Sequence, residues 1–91
     1  MDILTEAQSP DTSPERLAKL ANDTIDKVLV AVAGNPSTPL EVIEKLSTVR
    51  GWRVRCAVAK NPITPTDLLE KLANDSDNAV RFRARKRLSQ L

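Results

Sequence analysis

The sequence predicts an all-α chain built as a solenoid of repeated helix-turn-helix units, and three observations carry that prediction. First, a 26-residue phrase occurs three times, beginning at Ala7, Ala33 and Ala59, and all six prolines fall inside the copies. Second, each copy carries a helix-start signal at nearly the same phase. Third, the second half of the last copy places Val80, Ala84, Leu88 and Leu91 on one helical face. A period of this size marks one supersecondary unit per copy, and such units stack in a line, each against its neighbours.

The first unit, residues 7–32, opens with Thr12-Ser13-Pro14-Glu15 and continues with the apolar Leu17 and Leu20. Arg16 stands where the other copies have Val42 and Leu68, which suits an outer end with no preceding neighbour. Its second half, Val28 to Ala33, is an apolar run that by itself also fits a buried strand. The later copies decide for a helix, because they interleave Ala, a good helix former, with Arg.

The second unit, residues 33–58, begins with the turn dipeptide Asn35-Pro36. Thr38-Pro39-Leu40-Glu41 then reads as a capping box, with the Thr38 hydroxyl accepting from a free N–H and Glu41 reaching back. Val42, Ile43 and Leu46 form the apolar stripe of a short helix, and Glu44 and Lys45 take its other face. The third unit, residues 59–84, repeats this with Thr64-Pro65-Thr66-Asp67 and Leu68, Leu69 and Leu72. A capping helix is expected to run on to residue 91, within a single repeat domain over 1–91. The helices are expected to be two to three turns long, some of them 3₁₀.

Composition sets the limits of function. The chain has 91 residues, 41% hydrophobic, with one Trp, one Phe and no Tyr, so its core must come from Leu, Ile, Val and Ala. A domain of this size is expected to be stable by only ~5–10 kcal/mol. One cysteine, Cys56, excludes an intrachain disulfide and a cysteine metal cluster. The lack of a long apolar run or a leader-like N-terminus makes a cytoplasmic protein with no membrane partner the expectation. The net charge of +2 hides an asymmetry: residues 1–49 hold eight acids and four bases, residues 50–91 four acids and ten bases. There is no histidine and there are only two glycines. With no phosphate loop or metal-ligand spacing either, neither an enzyme nor a bound cofactor is expected.

The pattern carried by Asn35-Pro36, Thr38-Pro39, Asn61-Pro62, Thr64-Pro65, Val54-Arg55 and Val80-Arg81 resembles the leucine-rich repeat variant family over roughly residues 7–86. The segment from Asp75 to Arg81 is also similar to the inter-helix stretch of HEAT repeats. The resemblance implies a right-handed all-helical solenoid, a binding scaffold without a general catalytic motif, and a bacterial source. The first unit departs from it, with Ser9-Pro10 for Asn-Pro and Leu29 for the Arg.

Three groups stand out as candidate sites. Arg81, Arg83, Arg85, Lys86 and Arg87 make the last helix basic, either as a phosphate-contacting patch or as the polar outer face of a terminal unit. Arg55 and Arg81 share one repeat position, as a basic ladder on a concave face or as structural partners of Asp75 or Asp77 and loop carbonyls. Trp52 occupies a slot that is Asp26 and Asn78 in the other units, and Arg50, Gly51, Trp52 and Arg53 replace an acidic loop. A lone Trp there is an exposed anchor for a partner, or it folds over a neighbouring Arg stem. Cys56 aligns with Val30 and Phe82 and reads as a packed thiol, and Phe82 as a partly exposed residue at the open end.

These readings lead to a small non-enzymatic scaffold for protein–protein interaction, with Trp52, Arg50, Arg53 and Arg55 as the contact group. The alternative is nucleic-acid binding through the basic C-terminal half. A third possibility is self-association, with the acidic end of one copy meeting the basic end of another.

Overall fold

The computed structural model describes residues 2–91. It contains seven helices: α1 (Ile3–Gln8), α2 (Pro14–Leu20), α3 (Asp26–Gly34), α4 (Leu40–Leu46), α5 (Trp52–Lys60), α6 (Thr66–Leu72) and α7 (Asn78–Ser89). No strand occurs among the described residues. The odd-numbered helices pack in a row, α1 on α3, α3 on α5 and α5 on α7, and α2, α4 and α6 lie against that row. The molecule measures 36 × 23 × 18 Å, so its long axis is twice its short one.

Helices of seven to nine residues are too short to persist alone in water, so packing must hold them. The repeated stripe supplies that packing. Leu17, Ile43 and Leu69 are equivalent positions of successive units and all are fully buried, as are Val32, Val54 and Val58 of the inner row. Each contributes about 1.5–3 kcal/mol of transfer free energy relative to exposure.

The helix starts differ from the expected threonine capping box in all three units. Ser13 caps α2 by accepting from the Arg16 N–H, with Pro14 in the first turn. In α4 and α6 the residue before the helix is Pro39 or Pro65, which has no capping side chain, and in α6 the Leu68 N–H donates to Asp67 Oδ1 at 2.9 Å. Thr38 and Thr64 are buried and donate instead, to the Val32 carbonyl at 2.7 Å and the Val58 carbonyl at 2.6 Å. Thr12 does the same to Glu6 at 2.6 Å. The carbonyls at a helix C-terminus lack intrahelical partners, and one that is buried must find a donor inside the protein. The threonines therefore close the end of the preceding inner helix.

All seven elements are α-helical, and the expected 3₁₀ helices do not form among the described residues. Bonds of 3₁₀ type occur at helix ends and turns, such as Val42 N–H to Pro39 O at 3.0 Å and Asn35 N–H to Val32 O at 3.1 Å.

One element lies outside the sequence reading. Helix α1 begins before the first 26-residue copy, runs two residues into it, and packs on α3 as α3 packs on α5. Asp2 caps it by accepting from the Thr5 N–H at 2.7 Å. Its Ala7 is fully buried, as are the equivalent Ala33 and Ala59. Arg16 therefore does have a preceding neighbour: its guanidinium forms a two-pronged pair with Glu6 of α1 at 2.7 and 3.1 Å.

Candidate functional site

The polar side chains that recur with the period are spent on holding the row of inner helices together. Asn35 Nδ2 donates to the Ala7 and Ser9 carbonyls, both at 2.8 Å. One period later Asn61 Nδ2 donates to Ala33 at 2.8 Å and Asn35 at 3.0 Å. Their amide oxygens accept from Ser37 and Ile63 N–H groups, which shapes the turn at each Asn-Pro. Arg87 occupies the next position of this series, and its Nη1 donates to Ala59 at 3.1 Å and Asn61 at 2.9 Å. An arginine thus completes the asparagine ladder where the chain has no further Asn-Pro turn.

A second ladder runs along the helix starts. Arg55 makes a two-pronged ion pair with Asp75, Nε to Oδ2 at 2.9 Å and Nη2 to Oδ1 at 3.1 Å. Its Nη1 also donates to the Val49 and Arg50 carbonyls at 2.7 and 2.9 Å. Arg81 repeats one of these contacts, donating to the Asp75 carbonyl at 2.6 Å. Burial pushes the Asp75 carboxyl up, but the Arg55 bonds, the Asp77 N–H and the charges of Arg55 and Arg81 outweigh it and hold its pKa below the ordinary value. With side chains 13% and 11% exposed, this pair bridges two units from within the structure.

These ladders sort the candidate residues. Within the basic C-terminal group, Arg81, Arg85 and Arg87 each donate to a backbone carbonyl, Arg85 to Ala73 at 3.1 Å. Arg83 and Lys86 make no hydrogen bond or ion pair among the described residues. In the other group Arg55 is engaged as above, whereas the Arg50 side chain points to solvent. Trp52 is 40% exposed, and the Arg53 guanidinium lies 4.5 Å from its ring centroid. Trp52 is thus accessible and stacks on an arginine.

Of these residues Trp52, Arg53, Arg83 and Lys86 meet in one place, and Arg50 lies outside it. A cleft of about 280 Å³ opens along α5, where Trp52, Arg53, Cys56 and Lys60 line it together with Val30 of α3 and Arg83 of α7. Trp52, Cys56 and Lys60 follow at i, i+4 and i+8, so they share one face of α5. A second cleft, of about 270 Å³, shares Lys60 and Arg83 with the first and continues to Lys86 and Gln90. No acidic side chain lines either one. The sequence reading did not single out Lys60, although its helical spacing from Trp52 was visible.

Cys56 packs partly against the core, and burial raises its thiol pKa above the ordinary value. That is the opposite of an activated nucleophile. Phe82, its equivalent on α7, is 61% exposed. No helix of the described residues is long and apolar enough to cross a membrane.

A family model described as leucine rich repeat variant matches residues 52–77, from the start of α5 to the turn before α7. This span is one full period. Residues 52–77 are similar to a leucine rich repeat variant unit. The match supports the resemblance drawn from the Asn-Pro and Thr-Pro turns, and it covers the stretch that carries Trp52, the Asn61 ladder rung and Asp75. No curated protein and no solved structure matches the chain.

Proposed function

We propose that the protein is a non-enzymatic scaffold for protein–protein interaction, built as a right-handed solenoid of three 26-residue units. On this reading the row of inner helices presents the docking face. One observation carries it: the polar residues that recur with the period are bonded inside the chain, whereas Trp52, Arg53, Lys60, Arg83 and Lys86 border one cleft system and have no acidic partner there. Residues that break a repeat are free to serve a site in a way that residues holding the repeat are not. Arg55 then contributes by fixing the Val49–Arg50 turn from which Trp52 projects, and Arg50 extends the contact group at its exposed edge.

Nucleic-acid binding through the basic half has less support. Three of the five basic residues in the last helix are held by carbonyls, which leaves few charges for the several phosphate contacts that give useful affinity.

The test compares pulldown by the native chain with pulldown by Trp52→Asn, which restores the residue found in the third unit. A partner kept by the native chain and lost by the variant, with unchanged circular dichroism, supports the docking face. A partner held equally by both removes Trp52 from it.

A further inference from the structure

The cleft system between α5 and α7 has an apolar end and a basic end, and this polarity specifies what it takes. At the first end Val30, Cys56, Ala57 and Ala79 line the cleft beside Trp52. At the other, Lys60, Arg83 and Lys86 converge with Gln90. On α7 the residues concerned, Ala79, Arg83, Lys86 and Gln90, sit at i, i+4, i+7 and i+11, one continuous helical face. The two helices run the same way, since Arg87 near the end of α7 reaches the end of α5 and Arg55 near the start of α5 reaches Asp75 just before α7. The clefts therefore form one trench along the helix pair.

The basic end is an addition to the repeat. Arg83 stands where the earlier units have Ala31 and Ala57, and Lys60 and Lys86 stand where the first has Gly34. Units with Ala or Gly at these positions fold in the same chain, so packing does not require the charges. A terminal unit needs a polar outer face, but Lys60 belongs to the middle row of helices and is not terminal.

Resting on the docking face proposed above, the geometry points to a partner of one class: an acidic, extended protein segment with a single apolar anchor. The anchor side chain fills the notch beside Trp52, and carboxylates on the same segment meet Lys60, Arg83 and Lys86. The spacing follows from helix geometry. Trp52 and Lys60 are eight residues apart on α5, about 12 Å at 1.5 Å per residue. An extended chain covers that in about four residues at 3.3–3.6 Å each. The apolar notch favours a peptide over a single strand of nucleic acid, whose bases need stacking platforms along the groove. Trp52 already has Arg53 against its ring, and it is the only tryptophan.

The experiment selects random displayed dodecapeptides on the full chain and reads the emission of Trp52 with each synthesised hit. The expected hits carry an apolar residue with two or more Asp or Glu about four residues away. They shift Trp52 emission, and the double variant Lys60→Ala/Arg83→Ala weakens them about tenfold. That variant keeps its melting temperature, because both positions carry small residues elsewhere in the repeat. Hits that shift Trp52 emission but lack acids, or that ignore the double variant, overturn the acidic-partner inference and leave the docking face standing. Hits that leave Trp52 emission unchanged, or a selection that returns none, overturn both. A twelve-nucleotide oligothymidine that binds more tightly than the hits, or a dimer in sedimentation that excludes them, overturns the inference in favour of nucleic acid or a second copy.

Discussion

Asn61 shows how much a single residue contributes to this fold. It is buried, and its amide satisfies the Ala33 and Asn35 carbonyls while accepting from Ile63. In Asn61→Ala two buried carbonyls lose their donor and the turn loses its internal bond, a cost of about 3 kcal/mol. For a domain of this size that lowers Tm by more than about 10 °C in a calorimetric scan. A loss of only a degree or two would mean that water replaces the amide at no cost. The Arg55–Asp75 pair adds a pH signature. Asp75 has its folded pKa depressed below the ordinary 3.8, so the folded state binds fewer protons than the unfolded state near that pH. Its stabilising contribution is complete above the ordinary value and is lost as pH falls through the depressed one. Urea denaturation of Asp75→Asn should therefore show lower stability than the native chain at pH 7 and a shallower loss below about pH 4. Parallel acid limbs in the two proteins would show that the pair does not titrate in this way.

At the scale of elements, glycine and alanine positions separate what the period dictates from what it tolerates. Gly34 ends α3 with helical geometry, and a Cβ there meets nothing within 4 Å. Lys60 and Lys86 are its equivalents, so Gly34→Ala is expected to stabilise by about 0.5–1 kcal/mol through the unfolded chain and to raise Tm by a few degrees. A lower Tm would show that the helix end needs a backbone freedom that its φ does not reveal. Six of the seven helices were legible in the sequence because each has copies in register. Leu17, Ile43 and Leu69 declare one set of helices, and Val28, Val54 and Val80 the other. Helix α1 escaped because most of it lies before the first copy and it has only six residues, although Ala7 in line with Ala33 and Ala59 was its trace. The threonine donors escaped for another reason. A Thr-Pro before a helix has the residues of a capping box, and only the position of the previous helix end decides which way the hydroxyl points. Arg87 was counted with a basic patch because its charge hid its alignment with Asn35 and Asn61. The trench between α5 and α7 was half visible, as Trp52 and Arg53, and half hidden in the meeting of two helices distant in sequence. Removing residues 2–8 tests α1 directly. The truncation strips the cover from α3 and the Asn35 ladder of its Ala7 acceptor, so it should bind a hydrophobic dye and melt well below the native chain. An unchanged melting curve would make α1 an ornament.

At the scale of the whole molecule, the ladders imply that stability is a sum of units and the interfaces between them. Asn35 reaches back to Ala7 and Ser9 as Asn61 reaches back to Ala33 and Asn35, so each added unit should bring a rung that the present ends already know how to receive. In such an array intrinsic unit stability is low and the interfaces supply the surplus. Inserting a second copy of residues 33–58 after Val58 preserves the phase, because Val58 is followed by Ala59 as Val32 is followed by Ala33. The inserted unit gains a neighbour on each side, while α1 and α7 remain as the outer faces. The longer chain is expected to unfold in one transition with a higher Tm, and its urea m-value should rise by about a quarter, in line with the added buried surface. Circular dichroism and tryptophan emission should report the same midpoint, since the insert brings a second Trp52-type position into the array. A lower Tm, or a transition that splits between the two probes, would show that the three units are matched to one another and not to a common period, and would undercut the proposed solenoid.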